Sequence, residues 1–378
     1  MMFPAEPATR SEYMVDYVQQ RLAEGLSAQD VLDAFHVPLN LRRPECEGCA
    51  EVLSNVLLHW IAHVQDTKLS AELVAAVRLG DEMQVRVLLD AGAPWDALDE
   101  SGHSAGAHAL RLQHQNCLEA LVNAGSVAIL AEPAVAVVGG GCLFSGENER
   151  YLKQKLSFER DRLLDADARP VMMEWEAPLM AAHADVLCPT NTTAKTVLNI
   201  GFGLGLIDTL LQERHPKTHV IVEAHPDVLE HMRHAGWLQR VGVRVLAGRW
   251  QQVLPKLIND ERGPAKLFDA IFFDTFLEGV DELRRFHKLL PLLLKSGGVY
   301  SFFNGIAAHD NFLHRVYSEA LRRDLCALGF DSVTYLHVPL EPPDASMWEG
   351  TSLRGRNWWL FTEYWLPIAR MGSSSCLG

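Results

Sequence analysis

The chain has 378 residues, of which 48% are hydrophobic and 22% are charged, as is usual for a soluble globular protein with room for two domains. No run approaches the ~20 apolar residues that a membrane span needs, and the N-terminus lacks the basic and apolar regions of a signal peptide. We therefore expect a cytoplasmic protein without a membrane partner. The formal net charge of −14 argues against nucleic acid, because an acidic surface repels phosphate, and favours a basic protein partner.

Cysteine usage argues against disulfides and against a metal centre. The chain has seven cysteines, an odd number scattered along its length, which is typical of a reducing compartment. Cys46 and Cys49 form a single CxxC motif. A structural zinc site needs about four ligands, and no second pair follows at a suitable spacing. We expect no metal ion, and the role of these two thiols stays open.

Part of the N-terminal region repeats with an offset of 33 residues. The segment Leu88–Ala93 (LLDAGA) recurs as Leu121–Ser126 (LVNAGS). At the same offset, Ala76–Leu79 (AVRL) is matched by Ala109–Leu112 (ALRL). Each unit predicts a first helix, a turn and a second helix.

Turns and glycines mark the expected helix boundaries in these units. We expect the turns near Gly80 and His114, and we expect the second helices to end at Gly92 and Gly125, because glycine readily adopts the left-handed backbone that follows a helix. The period resembles that of ankyrin repeats, which stack into extended binding surfaces. A plain helical bundle is the alternative. Two more helical stretches are expected to cap the stack: Glu12–Phe35 and Glu51–Gln65.

A change of composition separates this region from the rest of the chain. The apolar run Val135–Val138 is followed by three glycines, and a polar segment occupies Ser145–Arg150. We therefore expect a helical repeat domain at 1–130, with clear repeats at about 66–126, and a linker at 131–150. An α/β domain at 151–370 and a tail at 371–378 complete the chain.

Strand and helix patterns alternate in the α/β domain. The expected strands are Thr196–Ile200, His219–Val222, Val243–Leu246, Phe268–Phe273 and, after a turn at 296–298, Val299–Phe303. The expected helices are Leu206–Glu213, Asp227–Ala235, Gln251–Leu257 and Leu283–Leu294. This alternation predicts βαβ units around a parallel, Rossmann-like sheet. Ser332–Val338 and Trp358–Tyr364 are expected to form an antiparallel pair that closes one sheet edge.

A glycine-rich segment follows the first of these strands. Gly201, Gly203 and Gly205 form a GxGxG motif, and Glu223 ends the second strand. Ligands bind at the carboxyl ends of the strands in such a sheet, and a carboxylate there can accept hydrogen bonds from both hydroxyls of a ribose. The combination favours S-adenosylmethionine over NAD, whose motif has GxGxxG spacing. A dinucleotide-dependent oxidoreductase is the alternative.

Further motifs occur in an order that matches one group of enzymes. They are YLKQKL at 151–156, WEAPLM at 175–180, VLNIGFG at 197–203, FDTF at 273–276, KSGG at 295–298, FFNG at 302–305 and WEG at 348–350. Over about 220 residues the chain resembles guanidinoacetate N-methyltransferase. With the repeats included, it resembles more closely the protein arginine methyltransferases that modify the δ-nitrogen. The resemblance implies a methyltransferase domain of class I fold behind an all-α repeat domain.

The resemblance also implies roles for matching residues. Glu176 and Asp274 would be the catalytic pair that flanks a guanidinium group, since two carboxylates can hold this planar cation through charge-assisted hydrogen bonds. The implied cofactor-binding residues are Tyr151, Met172, Met180, Phe202, Gly203, Leu204, Gly205, Leu206, Ile207, Glu223, Ala224, His225, Trp250, Gln251 and Asp274.

Two positions depart from the family pattern. Asn199 stands where methyltransferases of this fold often carry an acid, two residues before the first glycine. Phe276 stands where the guanidinoacetate enzyme has a tyrosine, and the missing hydroxyl argues against that small substrate.

We therefore expect methyl transfer from S-adenosylmethionine to the δ-nitrogen of arginine in a protein, with S-adenosylhomocysteine as product. Asp274 is our hypothesis for the group that accepts the proton lost on transfer. Residue spacing alone does not choose between the δ- and ω-nitrogens. The alternatives are a methyltransferase for a small guanidino compound and a non-catalytic, cofactor-binding interaction protein.

Overall fold

The computed structural model describes residues 67–131, 148–190, 195–259, 268–341, 343–352, 359 and 361–372. The chain divides into two compact units, Met1–Gly125 and Ser126–Gly378. Several expected features lie outside the described residues: the two N-terminal helices, Cys46 and Cys49, and most of the linker and the tail. No helix within the described ranges is long and apolar enough to cross a membrane.

The described part of the first unit consists of helix pairs. Its helices are α1 (67–79), α2 (Glu82–Asp90), α3 (Ala105–Leu112) and α4 (Gln115–Ala131), the last of which continues past the unit boundary. Asp81 and Ser104 begin α2 and α3 by accepting hydrogen bonds from the backbone N–H of Gln84 and Ala107, which satisfies donors that a helix start leaves free. The expected helix–turn–helix units are therefore present.

The turns of this unit lie where the sequence indicated, with one exception. Gly80 (φ +72°) separates α1 from α2, and His114 lies between α3 and α4. Gly92 (φ +94°) follows the end of α2 as predicted. Gly125, however, lies inside α4 and does not end it. The helix continues because Ser126–Ala131 extends the apolar sequence and carries no proline.

The second unit contains two sheets. Its helices are α5 (148–151), α6 (Ala177–Leu187), α7 (Leu206–Glu213), α8 (Pro226–His234), α9 (Trp250–Ile258), α10 (Val280–His287), α11 (Leu290–Leu293) and α12 (Asn311–Ala327). Its strands are β1 (Ser157–Phe158), β2 (Arg162–Leu164), β3 (Pro170–Met173), β4 (Thr196–Ile200), β5 (Thr218–Glu223), β6 (Val243–Ala247), β7 (Phe268–Phe273), β8 (Leu294–Phe302), β9 (Phe330–Pro339) and β10 (Glu363–Met371). Short 3₁₀ turns span Glu174–Glu176, Trp237–Gln239 and Ala345–Trp348.

The larger sheet has seven strands in the order β6-β5-β4-β7-β8-β10-β9. Strands β4 to β8 pair in parallel, and β10 pairs antiparallel with both β8 and β9. This confirms the expected α/β, Rossmann-like fold and its antiparallel edge. The smaller sheet, β1-β2-β3, was not expected from the sequence.

Alternate residues of the central strands pack into different layers. Val220 and Val222 of β5 lie in a core with Trp250 of α9, whereas Ile221 packs with Phe202 and Met172 on the opposite face. Burial of both faces is why these strands are almost continuously apolar. The packed sheet therefore holds the carboxyl ends of β4 to β7 in place, and the candidate site lies at these ends.

Three boundaries in the C-terminal half differ from expectation. The predicted helix Leu283–Leu294 is divided into α10 and α11, because Pro291 has no N–H to continue the helical ladder. The turn at 296–298 lies within β8, where the register against β7 shifts between Phe268 and Ala270. The last strand is β10 rather than Trp358–Tyr364. Trp359, although buried, precedes this strand.

Candidate active site

The glycine loop after β4 requires glycine for steric reasons. Gly201 has φ +91°, and a Cβ there would lie 1.8 Å from the carbonyl oxygen of Asp274. Gly203 has φ +55°, and its Cβ would lie 2.8 Å from the sulfur of Met172. These conformations and close approaches exclude larger residues. The loop therefore passes close to both β7 and the small sheet.

Glu223 at the end of β5 anchors this loop. Its Oε2 accepts a hydrogen bond from the N–H of Phe202 (2.9 Å), and its Oε1 accepts one from the N–H of His225 (2.6 Å). Burial raises the pKa of Glu223, and hydrogen bonds from His225 and Phe202 oppose that rise. A carboxylate has about four acceptor positions. Binding of a ribose by Glu223 stays a prediction.

A cleft opens at the carboxyl ends of β4 to β7. Eight of the predicted cofactor residues line it: Tyr151, Met172, Gly203, Glu223, Ala224, Trp250, Gln251 and Asp274. They come from four strand ends, the small sheet and α5. The fold thus brings together residues that lie more than 120 positions apart in sequence.

The other predicted cofactor residues lie around this cleft or beneath it. The ring of Phe202 packs edge-on against Trp237 and lies over Gly205. Leu204 N–H contacts the sulfur of Met172 at 3.3 Å. The remaining apolar ones lie in or against a core cluster next to the sheet, and these are Met180, Leu206 and Ile207. Their contacts with a cofactor stay predictions.

The two predicted catalytic carboxylates are near enough for the charge of one to affect the other. Glu176 is buried in the 3₁₀ turn after β3, and its Oε1 accepts the N–H of Met173 at 2.9 Å. Burial raises the pKa of Glu176 to about 8, with a further contribution from the negative charge of Asp274. Burial likewise raises the pKa of Asp274 to about 7. The buried Glu176 and the partly exposed Asp274, both with raised pKa values, form a pair that a cation would stabilise.

The segment 148–156, here called the arm, covers one side of the cleft and is fastened to α8. His225 donates from Nε2 to the carbonyl oxygen of Tyr151 (3.0 Å) and accepts the N–H of Asp227 at Nδ1. Asp227 accepts the N–H of Leu156 and an ammonium hydrogen of Lys155, at 2.9 and 2.8 Å. His225 does not line the cleft itself. It holds in place the arm that carries Tyr151.

Sequence reasoning missed several residues that line the cleft, including Asn148 and Glu278. Glu278 accepts hydrogen bonds from Trp250 Nε1 (2.8 Å), Gln251 Nε2 (2.8 Å) and Thr275 Oγ1 (2.9 Å). Its place in the loop after β7 was a usable signal, since such loops line ligand sites. No motif distinguished it from other surface acids.

Asn199, at the position of the expected acid, is fully buried. Its Nδ2 donates to the carbonyl oxygen of Gly201 (2.7 Å) and to the carboxylate of Asp208 (2.9 Å). Nε2 of the buried His219 lies 3.1 Å from the same carboxylate. Asn199 therefore fastens the glycine loop to α7 and lies beneath the cleft.

Comparisons with known proteins show the family to which the chain belongs. The family model for guanidinoacetate N-methyltransferase matches residues 146–324. Protein arginine N-methyltransferase 2 of Aspergillus oryzae is 34% identical over 329 residues, which cover 76% of this chain and 77% of the relative. The protein of the same name from Cryptococcus neoformans is 34% identical over 312 residues, covering 76% and 82%. The one from Saccharomyces cerevisiae is 40% identical over 182 residues, covering 47% and 43%. The chain therefore belongs to the protein arginine N-methyltransferase 2 family.

Proposed function

We propose that this chain methylates an arginine side chain in a protein substrate, using S-adenosylmethionine, and that the methyl group goes to the δ-nitrogen. The observation that carries the proposal is a pair of carboxylates whose charges interact, Glu176 and Asp274, of which Asp274 lines a cleft built on a glycine loop. The names of the relatives, which describe arginine methylation, support the same substrate class.

The cleft has the features that S-adenosylmethionine requires. Gly203 lets the loop approach Met172 more closely than a side chain would allow, and the polarisable thioether of Met172 suits contact with a sulfonium or an adenine ring. Glu223 and Trp250 both line the cleft, and they would hold a ribose and an adenine there. When bound, the cofactor supplies a methyl group on a positively charged sulfur.

Glu176 and Asp274 would hold the guanidinium in one plane. A guanidinium remains charged at neutral pH, so its arrival favours the ionised forms of both acids and offsets the cost of their burial. Charge-assisted hydrogen bonds to two carboxylates fix the orientation of a planar donor. One nitrogen can then be directed at the methyl group, so that positioning provides most of the rate enhancement.

Asp274 is our choice for the group that accepts the proton released by the methylated nitrogen. It lines the cleft directly, whereas Glu176 is engaged with the N–H of Met173. A pKa raised to about 7 makes Asp274 a better proton acceptor than an ordinary carboxylate. The proton would leave to solvent after product release.

We also propose that the helix pairs of the first unit are ankyrin-type repeats that select the protein substrate. Helices α2 and α4 begin 33 residues apart, and an isolated bridge between Leu98 and Ser104 forms the turn between the pairs. Asp99 stabilises that turn by accepting hydrogen bonds from His108 and Arg78 at 2.8 and 2.7 Å. A repeat surface of this kind has a use for a protein substrate and none for a small one.

The test is incubation of the full chain with cell extract and isotopically labelled S-adenosylmethionine. Mass spectrometry with fragmentation that separates δ- from ω-methylarginine then locates the label. We expect δ-methylarginine in a protein and no label with the D274N variant. Label on free guanidinoacetate alone would identify a small-molecule enzyme. Release of no S-adenosylhomocysteine with any guanidino substrate would identify a non-catalytic binding protein.

A further inference from the structure

One edge of the seven-stranded sheet is open at β6. Among the strands that the structure describes, only β5 pairs with β6. The residues on either side of β6, Gly242 and Gly248, both form backbone hydrogen bonds with β5 at 2.8 Å. The backbone groups of successive residues point alternately to the two sides of a strand, so those of Val245 and Ala247 point to the open side. Such a row of donors and acceptors can pair with a strand from another chain.

A cavity of about 340 Å³ lies along this edge and is here called the edge groove. Its lining includes Leu229 and Arg233 of α8, Leu238 of the following 3₁₀ turn, and Val243, Arg244 and Val245 of β6. The residues that line the cleft of the candidate active site are different ones. Leu238 is 43% exposed, and Val241, which precedes β6, is 98% exposed. Apolar side chains left in water beside an open strand favour an interaction surface.

The two faces of β6 differ in chemistry. Val243 and Val245 pack against a core cluster that contains residues of α8. Leu246 packs against the cluster on the opposite side of the sheet, which contains residues of α9. Successive side chains of a strand point to opposite faces, so the exposed Arg244 projects on the same face as Leu246. A strand added to this edge therefore meets apolar side chains on the α8 face and a guanidinium group on the α9 face.

This part of the surface is basic, although the chain as a whole is acidic. Residues 231–259 contain four arginines, one lysine and no acidic residue, whereas 48 of the 378 residues of the chain are Asp or Glu. Arg233 is paired with Glu230. Arg240 and Arg244 form no salt bridge with any residue in the described ranges, and the Arg240 guanidinium lies over the ring of Trp237. The positive charge beside the edge groove is complementary to carboxylates on a partner.

We propose that the edge groove binds an extended acidic segment of another protein, which pairs with β6 as an additional strand. In that segment carboxylates alternate with apolar residues, so that the carboxylates face Arg244 and the apolar residues face Val243 and Val245. A second copy of this chain fits the edge less well, because it brings the two sets of arginines together. Nucleic acid also fits less well, since the net charge of −14 repels phosphate. The interaction does not depend on the proposed methyl transfer, which uses the cleft.

The test uses a fluorescein-labelled peptide with the sequence Glu-Val-Glu-Val-Glu between terminal serines. Fluorescence anisotropy with the full chain compares it with a peptide in which lysine replaces each glutamate. We expect the acidic peptide to bind at least about 10-fold more tightly, because like charges across an interface repel each other. Added salt should reduce this difference, since it screens exposed charges. An acidic peptide with methylated backbone nitrogens should bind about 10-fold more weakly, because it has no N–H groups to donate to β6.

Variants then locate the site. R244E should reverse the preference, so that the lysine peptide binds more tightly than the acidic one. R160E is the matched control and should keep the wild-type preference, because Arg160 is exposed and does not line the edge groove. A Tm equal to that of the wild type shows that each variant is folded. Hydrogen–deuterium exchange of the wild type should slow over residues 243–248 when the acidic peptide is bound, since the added strand protects these amides.

Several outcomes would overturn the proposal. Equal affinity of the wild type for the two peptides, or no binding of the acidic one, refutes it without any variant. Tighter binding of labelled oligouridine than of the acidic peptide would identify a nucleic-acid surface instead. Self-association of the chain in sedimentation velocity, lost in R244E and accompanied by no peptide binding, would identify a second copy as the occupant.

Discussion

Replacement of Glu176 by glutamine should make the ligand-free protein more stable at alkaline pH. Burial and the neighbouring charge of Asp274 raise the pKa of Glu176 from 4.5 to about 8. The folded chain therefore binds a proton that the unfolded chain has lost, and stability falls as the pH rises from about 4.5 to about 8. Glutamine resembles the protonated acid and removes this dependence.

The size of the effect follows from the pKa. A rise from 4.5 to about 8 corresponds to roughly 4 to 5 kcal/mol at pH 8.5, which is an upper limit because the site relaxes. We expect E176Q to gain about 1 to 3 kcal/mol at pH 8.5, with a Tm increase of about 2 to 4 °C for each kcal/mol in a domain of this size. At pH 5 the two proteins should unfold alike.

This difference is measured by thermal unfolding of the ligand-free proteins at pH 5 and pH 8.5, monitored by circular dichroism. E174Q is the matched control, because Glu174 lies in the same 3₁₀ turn and is exposed. Its Tm should not differ from the wild type in a pH-dependent way. If E176Q unfolds at or below the wild-type temperature at pH 8.5, Glu176 is not held in an environment that opposes its charge. E176Q should still lose methyl transfer, since it lacks the anion for the guanidinium.

Three more changes test the site. D274N should lower the rate of S-adenosylhomocysteine formation at least ~100-fold while calorimetry still detects cofactor binding; near-normal turnover would contradict its role as proton acceptor. G203A should weaken S-adenosylhomocysteine binding about tenfold relative to G236A. Both glycines have a positive φ, but only a Cβ at position 203 would lie against another side chain. Equal affinities of the two variants would mean that the loop tolerates a side chain. D227A should speed the release of S-adenosylhomocysteine in stopped-flow measurements, because it detaches the arm. K155A is the control, since it removes only an exposed ion pair. Equal release rates in the two variants would argue against a fastening role of Asp227.

The central strands were predictable because burial on both faces leaves a simple pattern. Thr196–Ile200 and Phe268–Phe273 were placed to the residue, since each is a short apolar run between polar or glycine-rich segments. The small sheet was not predictable. Its strands have two to four residues, such as Ser157–Phe158, and periodicity cannot be detected over so few positions. Their pairing depends on tertiary contacts.

The last strand was placed too early for a similar reason. The tryptophans at 358–359 resemble strand residues, but Trp359 donates from its indole to the carbonyl oxygen of Phe361 and packs in the core before the strand begins. The strand itself, Glu363–Met371, contains Pro367, which normally argues against an interior strand. Pro367 is paired with Tyr335 of β9, whereas the pairing of β10 with β8 is at Ala369 and Arg370.

Parts of the site were predictable to different degrees. The motifs singled out Glu176 and Asp274 as the catalytic pair, which stays a prediction, and their charges are close enough to interact. Motifs cannot indicate which side chains support others. The hydrogen bond by which His225 holds the arm at Tyr151 was not expected, and Glu278 was not singled out although it accepts hydrogen bonds from Trp250 and Gln251. Hydrogen bonds between residues distant in sequence leave no local signal.

The missing acid at position 199 can be explained by its surroundings. Asp208 and His219 are fully buried beside Asn199. Gln212 Nε2 lies 3.0 Å from Nδ1 of His219, so that nitrogen accepts a hydrogen bond, and Nε2 of the same ring lies 3.1 Å from the carboxylate of Asp208. Asn199 donates a hydrogen bond to that carboxylate. An aspartate at 199 would place a second carboxylate within hydrogen-bonding distance of Asp208, away from solvent. One of the two acids would then have to carry a proton. Asparagine at 199 thus connects Asp208, a buried acid of α7, to the glycine loop.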